Sequence, residues 1–478
     1  MSNLADTGYS EKRIRQRLRL DDLSDLRWRA LPTYRRDRLS ARDPLDLAID
    51  LFLLQASLPP DELDRLLPAP DRDLFVRTGL LSIDQNGRAQ ARASLFPVED
   101  RLVFSDPAWP ELTGPQPPAA DRVMYIGPDS RQLARCTSRR PVRAALDLCT
   151  GSGVHAVLAA AHADRVVAVD INPRAVACAR FNALALGISN LEVRIGDLFE
   201  PVAAERFDLI TANPPFVPSP SDEFRFRDGG RSGEDIQKRI VAELPLRLAP
   251  EGIAQIVTEL PERDGEPLLD RLRQWLAGAP IDIYALRLSD YSAADYAVAH
   301  AKGETYDEFL RSVDAWTANL RAHGFIRIAA LLVSFQWSDP ACGPPWQTIE
   351  DSRPPRRAAG TEIEAAFHAE RLTRRPELAA ALDQCRLALA GPVALLDAQV
   401  LAGNVPASAR ATRLGQALSI EHPLAPIERE VLTSLQAPRS ISQLAALPGN
   451  HDRASILAAV TSLLRKRLLA IHLGDPLS

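Results

Sequence analysis

The 478-residue chain contains no apolar run that approaches the roughly 18–20 residues needed to span a membrane. Its first residues are polar and soon charged, so they lack the apolar centre of a secretory signal. The five cysteines form no CxxC pair and have no histidine cluster beside them, which argues against a disulfide framework and a zinc site. These absences predict a cytoplasmic protein that has no metal and no membrane contact.

Lysine is also scarce, with four residues in the chain, so nearly all of the positive charge is arginine. The net charge is −5 and the isoelectric point is about 6.0. This balance excludes a uniformly basic nucleic-acid binder and leaves local basic patches open. At roughly 100–200 residues per domain, the chain has room for about two to four domains.

Residues 1–121 predict an N-terminal substrate-docking domain that is helical and winged-helix-like. The arginine-rich segment 1–42 has the pattern of a helix or a partly loose arm. Three helices and two strands are predicted next, at 46–55, 61–67, 71–78, 80–83 and 89–96. Asn86-Gly87 between the two strands is typical of a tight hairpin, and the prolines of 107–121 indicate a linker.

Residues 122–337 alternate short apolar runs with helical stretches. This pattern predicts an α/β domain with a doubly wound, mostly parallel sheet of seven strands. The strand candidates are 144–148, 165–169, 191–195, 207–212, 253–260, 281–286 and 326–335. A long helical stretch, 293–323, separates the last two strands and predicts an insertion packed against the sheet.

Residues 338–478 predict a C-terminal region in three parts. Residues 338–360 are rich in proline and indicate a second linker, and residues 361–420 have a mostly helical pattern. A second winged-helix pattern follows, with helices at 426–435, 440–447 and 453–467 and a strand at 468–473.

Residues 147–153 follow the first apolar strand of the α/β domain with the pattern D-x-x-x-G-x-G and lead into a helix. Glycines let a ligand approach the backbone closely, and the helix N-terminus offers free N–H groups. The carboxylate of Asp147 suits the ammonium group of a nucleoside cofactor that carries an amino acid, whereas it would repel a pyrophosphate. The predicted cofactor-binding residues here are Asp147, Cys149, Thr150, Gly151 and Gly153.

Acidic residues also end the next two strands. Asp170 follows Gly151 by nineteen residues, where a carboxylate commonly binds ribose hydroxyls, and Ile171 beside it can pack on adenine. Asp197 follows the third strand together with Leu198, and we expect its carboxylate to accept from the adenine amine. Acids at the ends of three successive strands favour a nucleoside cofactor over a structural glycine turn.

The fourth strand runs directly into Asn213-Pro214-Pro215-Phe216, which predicts the catalytic tetrapeptide, and Asn213 is also predicted to contact the cofactor. The Asn213 side-chain oxygen and the Pro214 carbonyl can each accept one N–H of a planar NH2 group. This orients the nitrogen lone pair and stabilises the positive charge that develops on it. Both prolines stiffen the loop, and Phe216 offers an aromatic face for a planar substrate.

At these residues the chain resembles class I S-adenosylmethionine (SAM)-dependent methyltransferases of the NPP[FY] type, and most of all the release-factor glutamine N5-methyltransferases (HemK-type). The matching segments are 123–130, 147–153, 213–216, 228–235 and 249–252. The resemblance covers about residues 122–337. It implies a Rossmann-like fold, SAM as the cofactor and methyl transfer to the glutamine amide of a protein, such as a translation factor.

Three other functions stay open on the sequence alone. Phe216 is the commoner form of the motif in ribosomal-RNA guanine N2-methyltransferases, so an RNA base, guanine N2 or adenine N6, is a second acceptor. A natural-product amide or amine is a third. A non-catalytic scaffold that binds through its winged helices is the alternative from another class, and the intact Asp147, Asp170 and Asn213 argue against it. The oligomeric state is not predicted.

Overall fold

The computed structural model describes residues 4, 6–27, 30–107, 118, 121–221, 226–398, 408–449 and 451–472. The N-terminal unit combines short helices with two antiparallel hairpins. Its helices are α1 (Glu11–Leu18), α2 (Leu31–Thr33), α3 (Pro44–Ala48), α4 (Pro60–Leu66) and α5 (Ala69–Arg77). Helices α2 and α3 continue as π-helical turns over Tyr34–Arg38 and Ile49–Leu53. The strands are β1 (Leu81–Ile83), β2 (Ala89–Ala91), β3 (Ser94–Val98) and β4 (Arg101–Ser105).

The three predicted helices and the first predicted hairpin of this unit form. β1 pairs with β2 across the Asn86-Gly87 turn, and Leu58 forms an antiparallel bridge to Ala89. The prediction of one strand over 89–96 is wrong, because the chain bends at 92–93 and β3 pairs with β4 instead. Most of the predicted linker 107–121 lies outside the described residues.

The described residues of the arginine-rich segment 1–42 are packed rather than loose. Ile14 and Leu18 of α1 are buried, and the hydroxyl of buried Tyr9 donates to the Leu95 carbonyl at 2.7 Å. The apolar residues of α1 recur at helical spacing, so one face of α1 joins the N-terminal core, while Arg13 is exposed and Arg15 and Arg17 are partly exposed.

The central unit is built on a sheet of eight strands. They are β5 (Val142–Leu148), β6 (Ala163–Asp170), β7 (Leu191–Ile195), β8 (Phe207–Ala212), β9 (Leu248–Arg263), β10 (Ile281–Ser292), β11 (Phe325–Trp337) and β12 (Gln347–Asp351). Their order across the sheet is β12-β10-β11-β9-β8-β5-β6-β7. β11 runs antiparallel to β9 and β10, and the other pairs are parallel.

Helices cover both faces of this sheet and create two apolar cores. They are α6 (Pro128–Cys136), α7 (Val154–Ala159), α8 (Pro173–Ala185), α9 (Asp235–Arg247), α10 (Leu268–Trp275), α11 (Ala293–His300) and α12 (Tyr306–Ala322). One core packs the sheet against α9 and α10, and the other packs it against α6, α7 and α8. Because these strands are buried on both faces, most of their residues are apolar, and their sequences are nearly continuous apolar runs.

All seven predicted strands form, and an eighth extends the sheet. β12 lies within the predicted linker 338–360 and pairs in parallel with β10. Its residues are polar and only partly buried, as an edge strand allows, so the sequence carries no apolar signal for it. The predicted long helix 293–323 is two helices, because Thr305 and Glu308 form a capping box that starts α12 anew.

The C-terminal unit follows the sheet with α13 (Gly360–Arg374) and α14 (Leu378–Leu382). Beyond them the predicted helical pattern of 361–420 is wrong, since the chain forms β13 (Arg386–Leu389), β14 (Val393–Ala398), β15 (Ser408–Arg413) and β16 (His422–Leu424). The three helices and the strand predicted over 426–473 form, as α15 (Pro426–Ser434), α16 (Ile441–Ala445), α17 (Arg453–Arg465) and β17 (Leu469–His472). β17 pairs with β13. Among the described residues, every helix is too short or too polar to traverse a bilayer.

Candidate active site

A cavity of about 540 Å³ opens at the carboxyl ends of β5, β6, β7 and β8. Its walls come from the ends of these strands and the loops after them. Asp170 ends β6, and Gly151, Asp197 and Asn213 follow β5, β7 and β8. Carboxyl ends of parallel strands meet at one edge of the sheet. Four motifs that are distant in the sequence therefore come together around one cavity.

The glycine loop turns β5 sharply into α7. Cys149, Gly151 and Gly153 have φ values of 53°, 55° and 81°, so the turn uses left-handed backbone three times. At Gly153 an added Cβ would lie 2.9 Å from the Ala179 Cβ of α8, which leaves no room for a side chain. At Gly151 an added Cβ would meet nothing within 4 Å, so this part of the loop faces open space.

Asp147 lies beneath this loop rather than in the cavity wall. Only 1% of Asp147 is exposed, and its two carboxylate oxygens accept from the Thr150 hydroxyl at 2.5 Å and the Thr211 hydroxyl at 2.8 Å. Burial raises the pKa of Asp147 to about 7, although both hydroxyls oppose the shift. The carboxylate therefore links the loop to β8, whereas the sequence predicted that it faces a ligand.

Asp170 and Ile171 stand where the sequence places them, at the end of β6 on the cavity wall. The Asp170 Oδ2 accepts from the Gly151 N–H at 2.8 Å, and its Oδ1 accepts from the Asn172 N–H at 2.9 Å. This carboxylate holds the glycine loop against the end of β6. Ile171 is 51% exposed, so its apolar surface is available to a ligand.

Asp197 and Leu198 also line the cavity, on the side of α9. Arg239 of α9 donates to the Asp197 Oδ2 at 2.7 Å, and both side chains remain partly exposed. Leu198 is buried with a φ of 49°. The ion pair with Arg239 orients the Asp197 carboxylate.

Part of the NPPF tetrapeptide lines the cavity, and the rest is buried in the core. Asn213 and Pro215 line the cavity, and Pro214 is buried between them. The Asn213 side-chain NH2 donates to the Ser130 hydroxyl of α6 at 3.1 Å. With the amide nitrogen held on α6, the Asn213 side-chain oxygen is the group that can accept from a substrate N–H.

Phe216 lies elsewhere than the sequence predicts. It is 7% exposed and packs in an apolar cluster with Tyr296 of α11 and Trp316 of α12. Phe226 lines the cavity instead. The inserted helices supply the partners of Phe216, so its aromatic ring stabilises the tetrapeptide from behind rather than facing a substrate.

Two acidic residues interact electrostatically, and one of them precedes Ser130 of the cavity wall. Asp129 precedes Ser130 in α6, and Glu259 lies near the end of β9, the strand that pairs with β8. The Tyr296 hydroxyl donates to a Glu259 oxygen at 2.5 Å. Burial raises the pKa of Asp129 to about 6 and that of Glu259 to about 7, so both carboxyl groups can exchange a proton near neutral pH.

Sequence reasoning missed several residues of the cavity wall. Ser130 and Asp228 fall in the segments that carry the resemblance, so their presence could have been anticipated. His155, Phe226 and Arg239 are single side chains outside any motif. Both ring nitrogens of His155 are buried without a hydrogen-bond partner in the described part of the chain, and burial lowers its pKa to about 3.

The cavity fits a nucleoside that carries an amino acid. An open glycine loop, the N-terminus of α7 and the Asp170 carboxylate adjoin one another, and the apolar Ile171 and Leu198 lie beside them. No group of three His, Cys, Asp or Glu side chains among the described residues is arranged to hold a metal ion.

Comparison with known proteins places the central unit in a family. The methyltransferase small domain matches residues 125–274. The chain is 32% identical over 232 residues to the ribosomal protein uL3 glutamine methyltransferase of Bordetella pertussis, covering 44% of this chain and 73% of that protein. It is 39% identical over 127 residues to the release factor glutamine methyltransferase of Rhodospirillum rubrum, covering 23% of this chain and 38% of that protein.

Among solved structures, the ribosomal protein L11 methylase of Lactobacillus delbrueckii subsp. bulgaricus is 23% identical, with a TM-score of 0.25. The match covers 33% of this chain and 68% of that chain. The sequence relatives, the matching domain and the glycine loop at the end of β5 agree on one identity. The chain belongs to the class I SAM-dependent methyltransferases, in the family of the HemK-type glutamine methyltransferases.

Proposed function

We propose that this protein methylates the side-chain amide nitrogen of a glutamine in a protein substrate. The observation that carries the proposal is the Asn213–Ser130 hydrogen bond, which presents the Asn213 oxygen to the cavity as an acceptor. The similar proteins named as uL3 and release factor glutamine methyltransferases support this acceptor. A protein of the translation apparatus is therefore the substrate class to test first.

The tetrapeptide binds and orients the reacting amide. The Asn213 oxygen and the Pro214 carbonyl accept the two N–H groups of the glutamine NH2 and direct the nitrogen lone pair. Bound SAM supplies an electrophilic methyl group. The nitrogen forms the new C–N bond as the C–S bond breaks, and the surplus proton then leaves the nitrogen. Water can accept this proton after the transfer, so the reaction needs no general base from the chain.

The residues around the glycine loop bind the cofactor in this proposal. Asp170 accepts from the ribose hydroxyls and Asp197 from the adenine amine, with Ile171 and Leu198 against the ring. The loop residues Cys149, Thr150, Gly151 and Gly153 approach the amino-acid end through their backbone. Asp147 acts as a positioning residue, because its two oxygens hold Thr150 and Thr211.

The flanking units have docking roles in this proposal. Residues 1–121 hold the substrate protein beside the catalytic domain of residues 122–337. Residues 338–478 form a further surface that carries the second winged helix. The Asn182 amide supports the first assignment, because it accepts from the Phe104 N–H at 2.9 Å and donates to the Ser152 carbonyl at 2.8 Å.

Transfer of tritiated methyl from SAM into a cell extract tests the acceptor. The label should be released by protease and resist RNase, and mass spectrometry should find one methyl group on a glutamine. RNase-sensitive label would refute the protein acceptor in favour of an RNA base. Label in a small molecule would refute it in favour of a natural product.

Substitutions test the assigned roles. Asn213→Ala should keep SAM affinity and lose about 100-fold to 1000-fold of turnover, the cost of removing one transition-state acceptor. Asn86→Ala, at an exposed hairpin turn, is the matched control and should keep full turnover. Asp170→Ala should weaken SAM binding in calorimetry. Unchanged turnover in Asn213→Ala, or an unchanged dissociation constant in Asp170→Ala, would contradict the respective role.

A further inference from the structure

We propose that an arginine-lined groove on the N-terminal unit binds the phosphate backbone of RNA. The groove lies between α1 and the segment 37–41 and encloses about 490 Å³. Four arginines line it, namely Arg13, Arg17, Arg19 and Arg38. The site is separate from the methyl-transfer cavity, and the proposal does not depend on which acceptor is methylated.

The groove stands out against the charge of the whole chain. Residues 11–19 and 35–38 carry eight cationic and two acidic side chains, although the net charge of the protein is −5. Basic charge is thus concentrated in two short segments that fold against one concave surface. Such a surface attracts polyanions and raises their local concentration.

Three of the four arginines are available to a ligand. Arg13, Arg19 and Arg38 make no ion pair and no side-chain hydrogen bond with the described residues, and Arg13 and Arg19 are exposed. Arg17 instead donates to Asp43 at 2.9 Å and also pairs with Asp46. Arg17 therefore fixes α1 to the start of α3, and the other three guanidinium groups stand along a firmly held wall.

The chemistry of the groove favours a phosphodiester chain. Guanidinium groups bind phosphate oxygens through paired N–H donors, and arginine is the preferred residue for this contact. Asp37 also lines the groove, but it is a single carboxylate beside four arginines. The groove is large enough for several phosphate groups. Arginines from two separate segments can therefore contact successive phosphates of one RNA strand.

The groove is connected to the methyl-transfer site through α1. Glu11, at the start of α1, pairs with Arg131 of α6, and Arg131 follows Ser130, the hydrogen-bond partner of Asn213. Asp22 joins the same cluster through Arg135 at 2.5 Å. RNA held in the groove would thus lie one helix away from the element that orients Asn213, which suits a protein substrate presented together with RNA.

The test uses the full-length protein and a fluorescein-labelled 12-nucleotide single-stranded RNA, followed by anisotropy between 50 and 200 mM salt. The groove variant is Arg13→Gln/Arg19→Gln/Arg38→Gln. The matched control is Arg77→Gln/Arg92→Gln/Arg311→Gln, which removes the same charge at exposed sites outside the groove. Thermal unfolding and SAM titration of each variant verify the fold.

The groove variant should bind RNA about 100-fold more weakly at 0.1 M salt. Each lost phosphate contact reduces the slope of log affinity against log salt concentration by about 0.7. The slope should fall by about 2, and the control should match the unmodified protein. Equal losses in the two variants, or no RNA binding by the unmodified protein at 50 mM salt, would overturn the proposal. Competition by millimolar inorganic phosphate that is as effective as RNA would indicate a free-phosphate site. Binding of poly-glutamate in place of RNA would indicate an acidic protein, and either result would overturn the proposal.

Discussion

The buried carboxylate of Asp147 should make the stability of this protein depend on pH. Burial raises its pKa from 3.8 to about 7 in the folded chain. A raised pKa in the folded state means that proton binding favours folding. The contribution is therefore complete below about pH 3.8 and is lost as the pH rises through about 7. Between pH 4.5 and 8.5 this one group should remove about 3 kcal/mol of the free energy of unfolding.

The substitution Asp147→Asn isolates this contribution. An amide of the same shape cannot ionise, so the variant should lack the pH-dependent loss, whatever constant offset results from exchanging its hydrogen bonds with Thr150 and Thr211. Asp129 and Glu259 also have raised pKa values and steepen both pH profiles alike. The quantity to compare is therefore the difference between the two proteins at each pH.

Urea unfolding followed by tryptophan fluorescence at pH 4.5, 5.5, 6.5, 7.5 and 8.5 measures that difference. The variant should gain about 3 kcal/mol relative to the unmodified protein between the first and last pH, with most of the change complete by pH 7.5. Asp164→Asn, at an exposed position of the same sheet, is the control and should give a flat difference. Parallel profiles for Asp147→Asn would refute the reasoning, because Asp147 would then be ionised throughout.

Three further substitutions test local features. Gly153→Ala should lower the free energy of unfolding by about 2 kcal/mol in urea, since the residue has a φ of 81° and its Cβ would lie 2.9 Å from that of Ala179. Ser130→Ala removes one hydrogen bond to Asn213 and should lower kcat about 3-fold to 10-fold, with SAM affinity in calorimetry unchanged. Asn182→Ala leaves the Phe104 N–H and the Ser152 carbonyl unsatisfied and should destabilise the chain by about 3 kcal/mol; an unchanged urea midpoint would contradict its bridging role.

The central sheet was predictable because its strands are buried on both faces. Val166 to Val169 is a continuous apolar run, and Phe207 to Ala212 is apolar except for Asp208 and Thr211. β12 lacked such a signal, since Gln347–Asp351 is polar and half-exposed. β12 pairs with β10 because the chain after β11 comes back beside that strand. The local sequence pattern carries no information on this tertiary contact.

The strands β13, β14 and β15 show how tertiary pairing overrides local preference. Their sequences are rich in alanine, arginine and leucine, which are strong helix formers. Yet Leu387 is buried opposite Ile471 of β17, and Val393 pairs with Arg413 of β15. The Gly391-Pro392 pair disfavours a helix between β13 and β14, and it was a local sign of the outcome, as were Gly403 and Pro406 further along the sequence.

The site was predictable in its motifs and not in its contacts. Strand order brings Gly151, Asp170 and Asn213 to one edge, so their proximity follows from topology alone. The partners of these groups are far away in sequence, however. Asp147 binds Thr211 across 64 residues, and Asn213 binds Ser130 across 83. A linear motif indicates which side chains belong to the site. It does not show which of their atoms remain free to bind a ligand.

Buried polar contacts join the N-terminal unit to two elements of the methyl-transfer site, the cofactor loop and α6. Asn182 is fully buried and connects the β4 backbone at Phe104 to Ser152 of the cofactor loop. Arg131 is almost as deeply buried and pairs with Glu11 beside Ser130. Removing one partner of a buried pair destabilises the fold, because the other charge or polar group stays buried without a partner and without water. Displacement of the N-terminal unit would therefore disturb the cofactor loop and Asn213 together, so the proposed docking role predicts that substrate docking and catalysis are coupled energetically.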